Sequence, residues 1–237
     1  MRRQIFVNAI VIGFFIVAAG CGDDGPTNTG PTSSVAPSST VVTTTTTSPE
    51  PTTTEPSQSE VAIWPFADGE RYSTPDAAVR AFAVEYLDYT DPALGAFEAG
   101  DGRSGEIEVR AGVGLAAFTT VLVRRFADDT WWVLGAMTPE IASTSPEAGA
   151  TISSPVTLEG TSRAFEANVN VEIRIAGSIE AIVTGFVMGG GMEDLEPYSK
   201  AFAFESPEAD FGVIVLRVLS MKDGGAESAT IVPVQFG

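Results

Sequence analysis

"GVIVLRVLS", residues 212–220, is apolar on both faces if the chain there is extended. Successive side chains of a strand point to opposite sides. Ile214, Leu216 and Val218 then share one face, while Val213, Val215 and Leu219 share the other beside Arg217. A half-exposed strand reads differently. In "NVNVEIRI", residues 168–175, Asn168, Asn170, Glu172 and Arg174 alternate with Val169, Val171, Ile173 and Ile175, the pattern of a strand with one wet face. The second face of 212–220 therefore needs a cover, and Val213, Val215 and Leu219 form the candidate interface. The segment before residue 141 is the nearest cover, because residues 137–141 leave too little chain for a long independent linker. A partner protein is the alternative.

Working outward, strands are expected at residues 152–160, 181–188, 200–205 and 228–235, with Pro233 placing the last at a sheet edge or bulge. Six or seven short strands separated by turn signals within residues 141–237 predict a β-sandwich. Upstream, in "YSTPDAAVRAFAVEYLDY", Thr74 suits an N-cap, Pro75 the first helical position and Asp76 the first turn, and Ala78, Phe82 and Tyr86 recur at helical spacing. "GEIEVRA" alternates as a half-buried strand, and "FTTVLVRRF" and "WWVLGAM" read as a hairpin turning at residues 127–130. A helix on a small antiparallel sheet follows for residues 61–140, a small α+β domain. The helix followed by a meander loosely resembles cystatin-like or nuclear-transport-factor-like folds. The fold class expected overall is mainly β.

At the other end, Arg2 and Arg3 precede an apolar run from residue 5 to residue 19, the layout of a signal peptide over residues 1–20. The run is shorter than the roughly 20 residues that span a bilayer. Ala18-Ala19-Gly20-Cys21 resembles the lipobox of bacterial lipoproteins, which implies cleavage before Cys21 and attachment of a diacylglyceryl group to its sulfur. Cys21 is the single cysteine of the chain, so no intramolecular disulfide can form. Residues 21–60 are Thr, Ser and Pro with scattered acids, a composition that buries no apolar surface and predicts a disordered tether. The expected location is the extracytoplasmic face of the cell membrane, reached through the lipid anchor.

"SPEAGATISSPVTLEGTSRAFEANVNVEI", residues 145–173, is similar to the opening of the immunoglobulin-like domain of bacterial spore-germination and sporulation proteins. Pro146, Gly149, Ser154, Pro155, Gly160, Phe165 and Glu166 carry the likeness, and Tyr198, Phe204, Ser220, Asp223, Gly224 and Pro233 extend it across residues 141–237. Ala176-Gly177-Ser178 departs from the turn usual in that family. The resemblance implies an immunoglobulin-like sandwich in an envelope module that binds or spaces, linked to sporulation or germination-type processes.

Composition narrows the chemistry. A formal net charge of −18, which becomes −20 once Arg2 and Arg3 are cleaved away, repels phosphate backbones and makes nucleic acid an unsuitable partner. Histidine is missing from all 237 residues, which removes Ser-His-Asp triads, Cys-His pairs and most zinc sites. Asp128-Asp129 and Glu193-Asp194 fall in a turn and a loop, where surface acids are ordinary. "GDGRSGE" and "GGGMEDLE" lack the alternating oxygen ligands of a calcium loop. The triple glycine 189–191 lacks the Lys-Ser/Thr ending of a P-loop and reads as a flexible turn. Glu166 is expected to accept loop backbone hydrogen bonds, with Phe165 plugging the end of the sandwich. Of Trp131 and Trp132 only one can enter the core, and the other either stacks on a sugar or covers a neighbouring domain. No catalytic residue, metal or cofactor is assigned. The reading is a non-enzymatic binding or scaffolding protein with an envelope protein or glycan as partner, and the alternative is a carbohydrate-directed enzyme or accessory.

Overall fold

The computed structural model describes residues 62–237, which lie within one compact unit. The expected signal peptide, Cys21 and tether lie outside the described residues. Helix α1 (Pro75–Glu85) begins at Thr74, whose hydroxyl accepts the Ala77 amide at 3.3 Å, and buries Ala78, Val79, Phe82 and Ala83. Twelve strands follow: β1 (Ala93–Ala99), β2 (Ser104–Arg110), β3 (Thr119–Arg125), β4 (Trp131–Met137), β5 (Ile141–Ser145), β6 (Thr151–Ile152), β7 (Val156–Ser162), β8 (Asn168–Ile175), β9 (Ala181–Met188), β10 (Glu196–Phe202), β11 (Phe211–Leu219) and β12 (Ala226–Phe236). They form a nine-stranded sheet in the order β1-β2-β3-β4-β12-β11-β8-β9, with β6 beside β12, and a three-stranded sheet β10-β7-β5.

The large sheet carries a core on each face. Val213 and Val215 of β11, with Ala229 and Ile231 of β12, pack with α1 and with Ile107, Val109, Val121 and Val133. Ile214, Leu216 and Val218 face the opposite way and join Leu158, Val169, Val171, Ile173 and Phe202 between the two sheets. Val213 and Val215 are 1% and 0% exposed, and each such burial contributes about 1.5–3 kcal/mol. The face that needed a cover is thus closed by the chain segment before residue 141. Leu219 departs from this row, because the β11–β12 register shifts between Val218 and Leu219 and leaves Leu219 half-buried away from the helix.

Side-chain hydroxyls close the seam where β4 and β12 part, since those strands meet at a single pair, Ala136 and Ile231. The Ala229 amide donates to Thr119 Oγ1 at 3.0 Å, and Thr119 also bonds the Tyr89 hydroxyl at 2.8 Å. Thr230 Oγ1 accepts the Thr138 amide at 3.2 Å and donates to the Ile141 carbonyl at 3.0 Å. Buried backbone groups that lack a ladder partner are satisfied in this way.

Four expectations need correction. The polar row of β8 is not a wet face: Arg174 is 4% exposed, and its guanidinium lies 4.8 Å from the Tyr86 ring at the end of α1. Arg174 Nη2 stands 2.6 Å from Glu172 Oε2, and Arg217 Nη2 bonds Glu172 Oε1, so charge pairing under the helix replaces hydration. Strand β12 is interior rather than an edge. The Gly149 amide donates to the Pro233 carbonyl and the Gln235 amide to the Ala150 carbonyl, so Pro233 turns its missing donor to the side where the neighbour changes from β4 to β6. The run expected at 152–160 breaks at Pro155 into β6 and β7, which belong to different sheets. The triple glycine is a close crossing, not a loose turn. The Gly190 amide donates to the Ser162 carbonyl at 2.7 Å, and a Cβ at Gly189 or Gly190 would collide with the Ser162 hydroxyl or the Asp194 carbonyl.

Two predictions follow from the buried groups. Replacing Glu172 with Ala leaves Arg174 and Arg217 without their counter-charge and is expected to cost about 3–5 kcal/mol, read as a lowered thermal midpoint, with Glu172→Gln intermediate. Burial pushes the Tyr89 phenol up to about 12, against which its bond to Thr119 acts in the opposite direction. The unfolded chain loses that proton near pH 10, so the contribution is whole below pH 10 and is lost as pH rises towards 12, a decline on the order of 3 kcal/mol. Denaturant midpoints measured across that range should fall, and a flat profile would contradict the assignment.

Candidate binding cleft

Four loops meet at one end of the sandwich: residues 111–118 between β2 and β3, 163–167 between β7 and β8, 189–195 between β9 and β10, and 220–225 between β11 and β12. They enclose a cleft of about 470 Å³. Leu115, Phe165, Met192 and Met221, one from each loop, line it although each is at least 39% exposed to water. Val218, Leu219 and Ala164 continue the apolar wall inward, and Ser228 lies at the buried end. The Ser228 hydroxyl and the neighbouring sheet's Ser162 hydroxyl are buried without a hydrogen-bond partner.

Each loop owes its shape to local bonding. In 220–225, Gly224 takes a positive φ of 74°, the Gly225 amide donates to Asp223 at 3.1 Å and the Lys222 amide to Ser220 Oγ at 3.2 Å. The Gly225 amide foremost, and then the Ser220 hydroxyl, hold the Asp223 carboxyl below its ordinary range by hydrogen bonding to it. In 163–167, Glu166 and Ala167 take φ values of 54° and 59°. That left-handed pair swings Phe165 out to 39% exposure and puts Ala164 into the core, contrary to the expectation that Phe165 plugs the sandwich. Glu166 is exposed, and among the described residues no hydrogen bond reaches its carboxylate. The rim is charged in both signs: Glu140 and Arg163 stand 3.9 Å apart, with Lys222 and Glu227 nearby. An exposed pair at that distance fixes little, and the rim adds no net charge.

The other sequence candidates are placed elsewhere. Asp128 accepts the amide and hydroxyl of Thr130 at 3.1 and 2.8 Å, making a hairpin turn. Asp101 accepts the amides of Arg103 and Ser104, both at 2.7 Å, and these bonds, Arg103 first, lower its carboxyl. Glu193 and Asp194 are exposed. Among the described residues no cluster of three or more metal-ligating side chains occurs. Neither tryptophan is open for a sugar. Trp132 is 5% exposed beneath the Arg71 guanidinium at 4.6 Å, and half-buried Trp131 meets Phe97 edge-on at 5.4 Å against the helix-side core. Val213 and Val215 belong to that same core, so of the three interface candidates Leu219 alone reaches the cleft. Leu115, Met192 and Met221 were not singled out by sequence reasoning. Their signal was large apolar residues inside Gly-rich and polar loops.

The cleft can therefore bind but offers no paired acid and base and no activated nucleophile. Its build is an apolar centre ringed by opposed charges. No curated protein and no solved structure matches the chain. Residues 140–225, from the turn before β5 to the loop after β11, match the family described as the immunoglobulin-like domain of bacterial spore germination, and it is as a member of that domain family that this part of the chain is identified.

Proposed function

We propose that this protein is a non-enzymatic recognition module of the cell envelope, held to the extracytoplasmic membrane face by a lipid on Cys21 and gripping a protein partner in the loop-end cleft. The convergence of four exposed apolar side chains from four separate loops carries the reading. Methionine suits this role, since its unbranched, polarisable side chain adapts to an irregular partner surface. A protein fits better than a glycan, because Phe165 is the single ring among the four exposed side chains, Met192, Met221 and Leu115 offer no flat face for a sugar, and Trp132 is buried while half-buried Trp131 packs on the helix-side core. The match of residues 140–225 supports an envelope module of the germination type.

The anchor and the cleft are tested separately. Cys21→Ala is expected to abolish incorporation of radiolabelled palmitate and to move the protein from the membrane fraction to the soluble one; equal labelling of the variant overturns the anchor. Phe165→Asp and Met221→Asp alter exposed side chains and should leave the thermal midpoint within about 0.5 kcal/mol. Each should weaken cross-linking to the envelope partner about tenfold, roughly 1.4 kcal/mol. Undiminished cross-linking by both variants would remove the cleft from the function.

A further inference from the structure

A separate cavity, of about 260 Å³, shares no residue with the loop-end cleft. The chain before α1 builds it by running beside β4, where Trp64 bridges Val133 and Tyr72 bridges Trp131. Trp64 and Tyr72 are 5% and 8% exposed and form its floor with half-buried Phe66, whose ring meets that of Trp64 edge-on at 4.8 Å. Glu70, Glu85 at the end of α1 and Ile179 between β8 and β9 stand around its mouth, all three exposed.

Three observations bear on what it holds. First, its negative charge is unanswered. Glu70 and Glu85 pair with no cation among the described residues, and the last turn of α1 holds no basic residue, so the negative end of the helix dipole adds to Glu85. Burial first, and then the charges of Glu85 and Glu70, raise the Tyr72 phenol above its ordinary range. Arg71 is committed to the wall itself: its guanidinium donates to the carbonyls of Phe66, Ala67 and Gly69 and lies 4.6 Å from the Trp132 ring. One arginine against two carboxylates and a helix end leaves the balance negative. Second, the aromatic cluster holds cations on its flanks, Arg71 over Trp132 and Arg174 over Tyr86 at 4.8 Å, while the Trp64, Phe66 and Tyr72 rings between them carry none among the described residues. Third, the wall is poor in acceptors and has a donor to spare. The carbonyls of Trp64, Phe66, Gly69 and Tyr72 already accept bonds at 2.8–2.9 Å from Val133, Gly69, Arg71 and Trp131, whereas the buried Trp64 Nε1–H has no acceptor among the described residues.

We infer that this cavity takes a quaternary ammonium group of the choline type, seated on the Trp64, Phe66 and Tyr72 rings with its charge answered by Glu70 and Glu85. Such a cation spreads its charge over methyl groups and carries no N–H, so an aromatic wall without free carbonyls suits it. A primary ammonium brings three donors and finds only the two carboxylates at the mouth. An oxygen carried beside the cation, as in choline, supplies the acceptor that Trp64 lacks. The net charge of −18 draws cations towards the surface as a whole, and the rings select among them. The same group reaches the cavity either as a free solute or as a lipid headgroup.

The test uses the full chain, isotopically labelled and titrated with choline, with methylammonium and with dimethylbutanol, the uncharged carbon isostere of choline. Choline should shift the Trp64 indole N–H signal saturably, and the other two compounds should bind about tenfold more weakly or less. Bound choline should also lower the Tyr72 titration, because its charge offsets that of the two glutamates. Glu70→Gln combined with Glu85→Gln, both at exposed positions, should weaken choline about tenfold with an unchanged thermal midpoint, while Glu147→Gln, an exposed acid outside the cavity, should leave it unaffected. Equal binding of dimethylbutanol, equal weakening by Glu147→Gln, or choline shifts confined to the loop-end cleft overturns the proposal. Tighter binding of methylammonium makes the occupant a primary amine and overturns it as well. Vesicles of phosphatidylcholine separate the two sources: their binding without that of free choline assigns the cation to a lipid headgroup, and failure of both overturns the site.

Discussion

The antiparallel pair β11–β12 holds the described fold together, because it is the one place where both cores share a backbone. Val213, Val215, Ala229 and Ile231 look towards the helix while Ile214, Leu216, Val232 and Val234 look towards the smaller sheet. Nine residue pairs set this register, and a one-residue slip would exchange the two sets of side chains between cores of different shape. The usual economy of a sandwich, apolar inside and polar outside, is therefore suspended for these two strands. The polar groups that remain on the helix side, Glu172, Arg174 and Arg217, lie within the buried layer and answer one another's charge.

Much of this was legible from letters alone, because alternation is a local signal. Strands β8 and β9 fall where the sequence places them, and the doubly apolar run at 212–220 announces a covered face. The wet-face reading of β8 failed for a definite reason: periodicity distinguishes polar from apolar but not hydrated from paired, and Glu172 finds its two arginines only through register and packing. Strands β1 and β5 were missed because "ALGAFEA" and "IASTS" are poor in bulky β-formers. Gly105, for example, opposes Ala99 across β1 and β2 with no room for a Cβ beside the Phe97 ring, a fit that tertiary structure alone reveals. The cleft was the least legible part, since its four apolar side chains are separated by up to 106 positions, from Leu115 to Met221, and each alone is an unremarkable loop residue.

The division of labour between scaffold and loops follows from the same packing. Glycine crossings at 189–190 and the left-handed pair at 166–167 are backbone features that bulkier or branched residues would not tolerate, so loop position is set by the framework. The side chains those loops expose carry no such constraint. Leu115, Phe165, Met192 and Met221 can change without disturbing either core, which leaves recognition free to vary on a fixed support.

The placement of β12 has a consequence for how the chain comes into being. Residues 226–236 lie outside the matched family segment, yet they occupy the middle of the large sheet between β4 and β11. Neither core can close until this strand is in place, since Ala229 and Ile231 belong to one core and Val232 and Val234 to the other. The contacts that complete the two cores therefore join distant parts of the sequence, an arrangement that slows folding by the entropy of closing long loops.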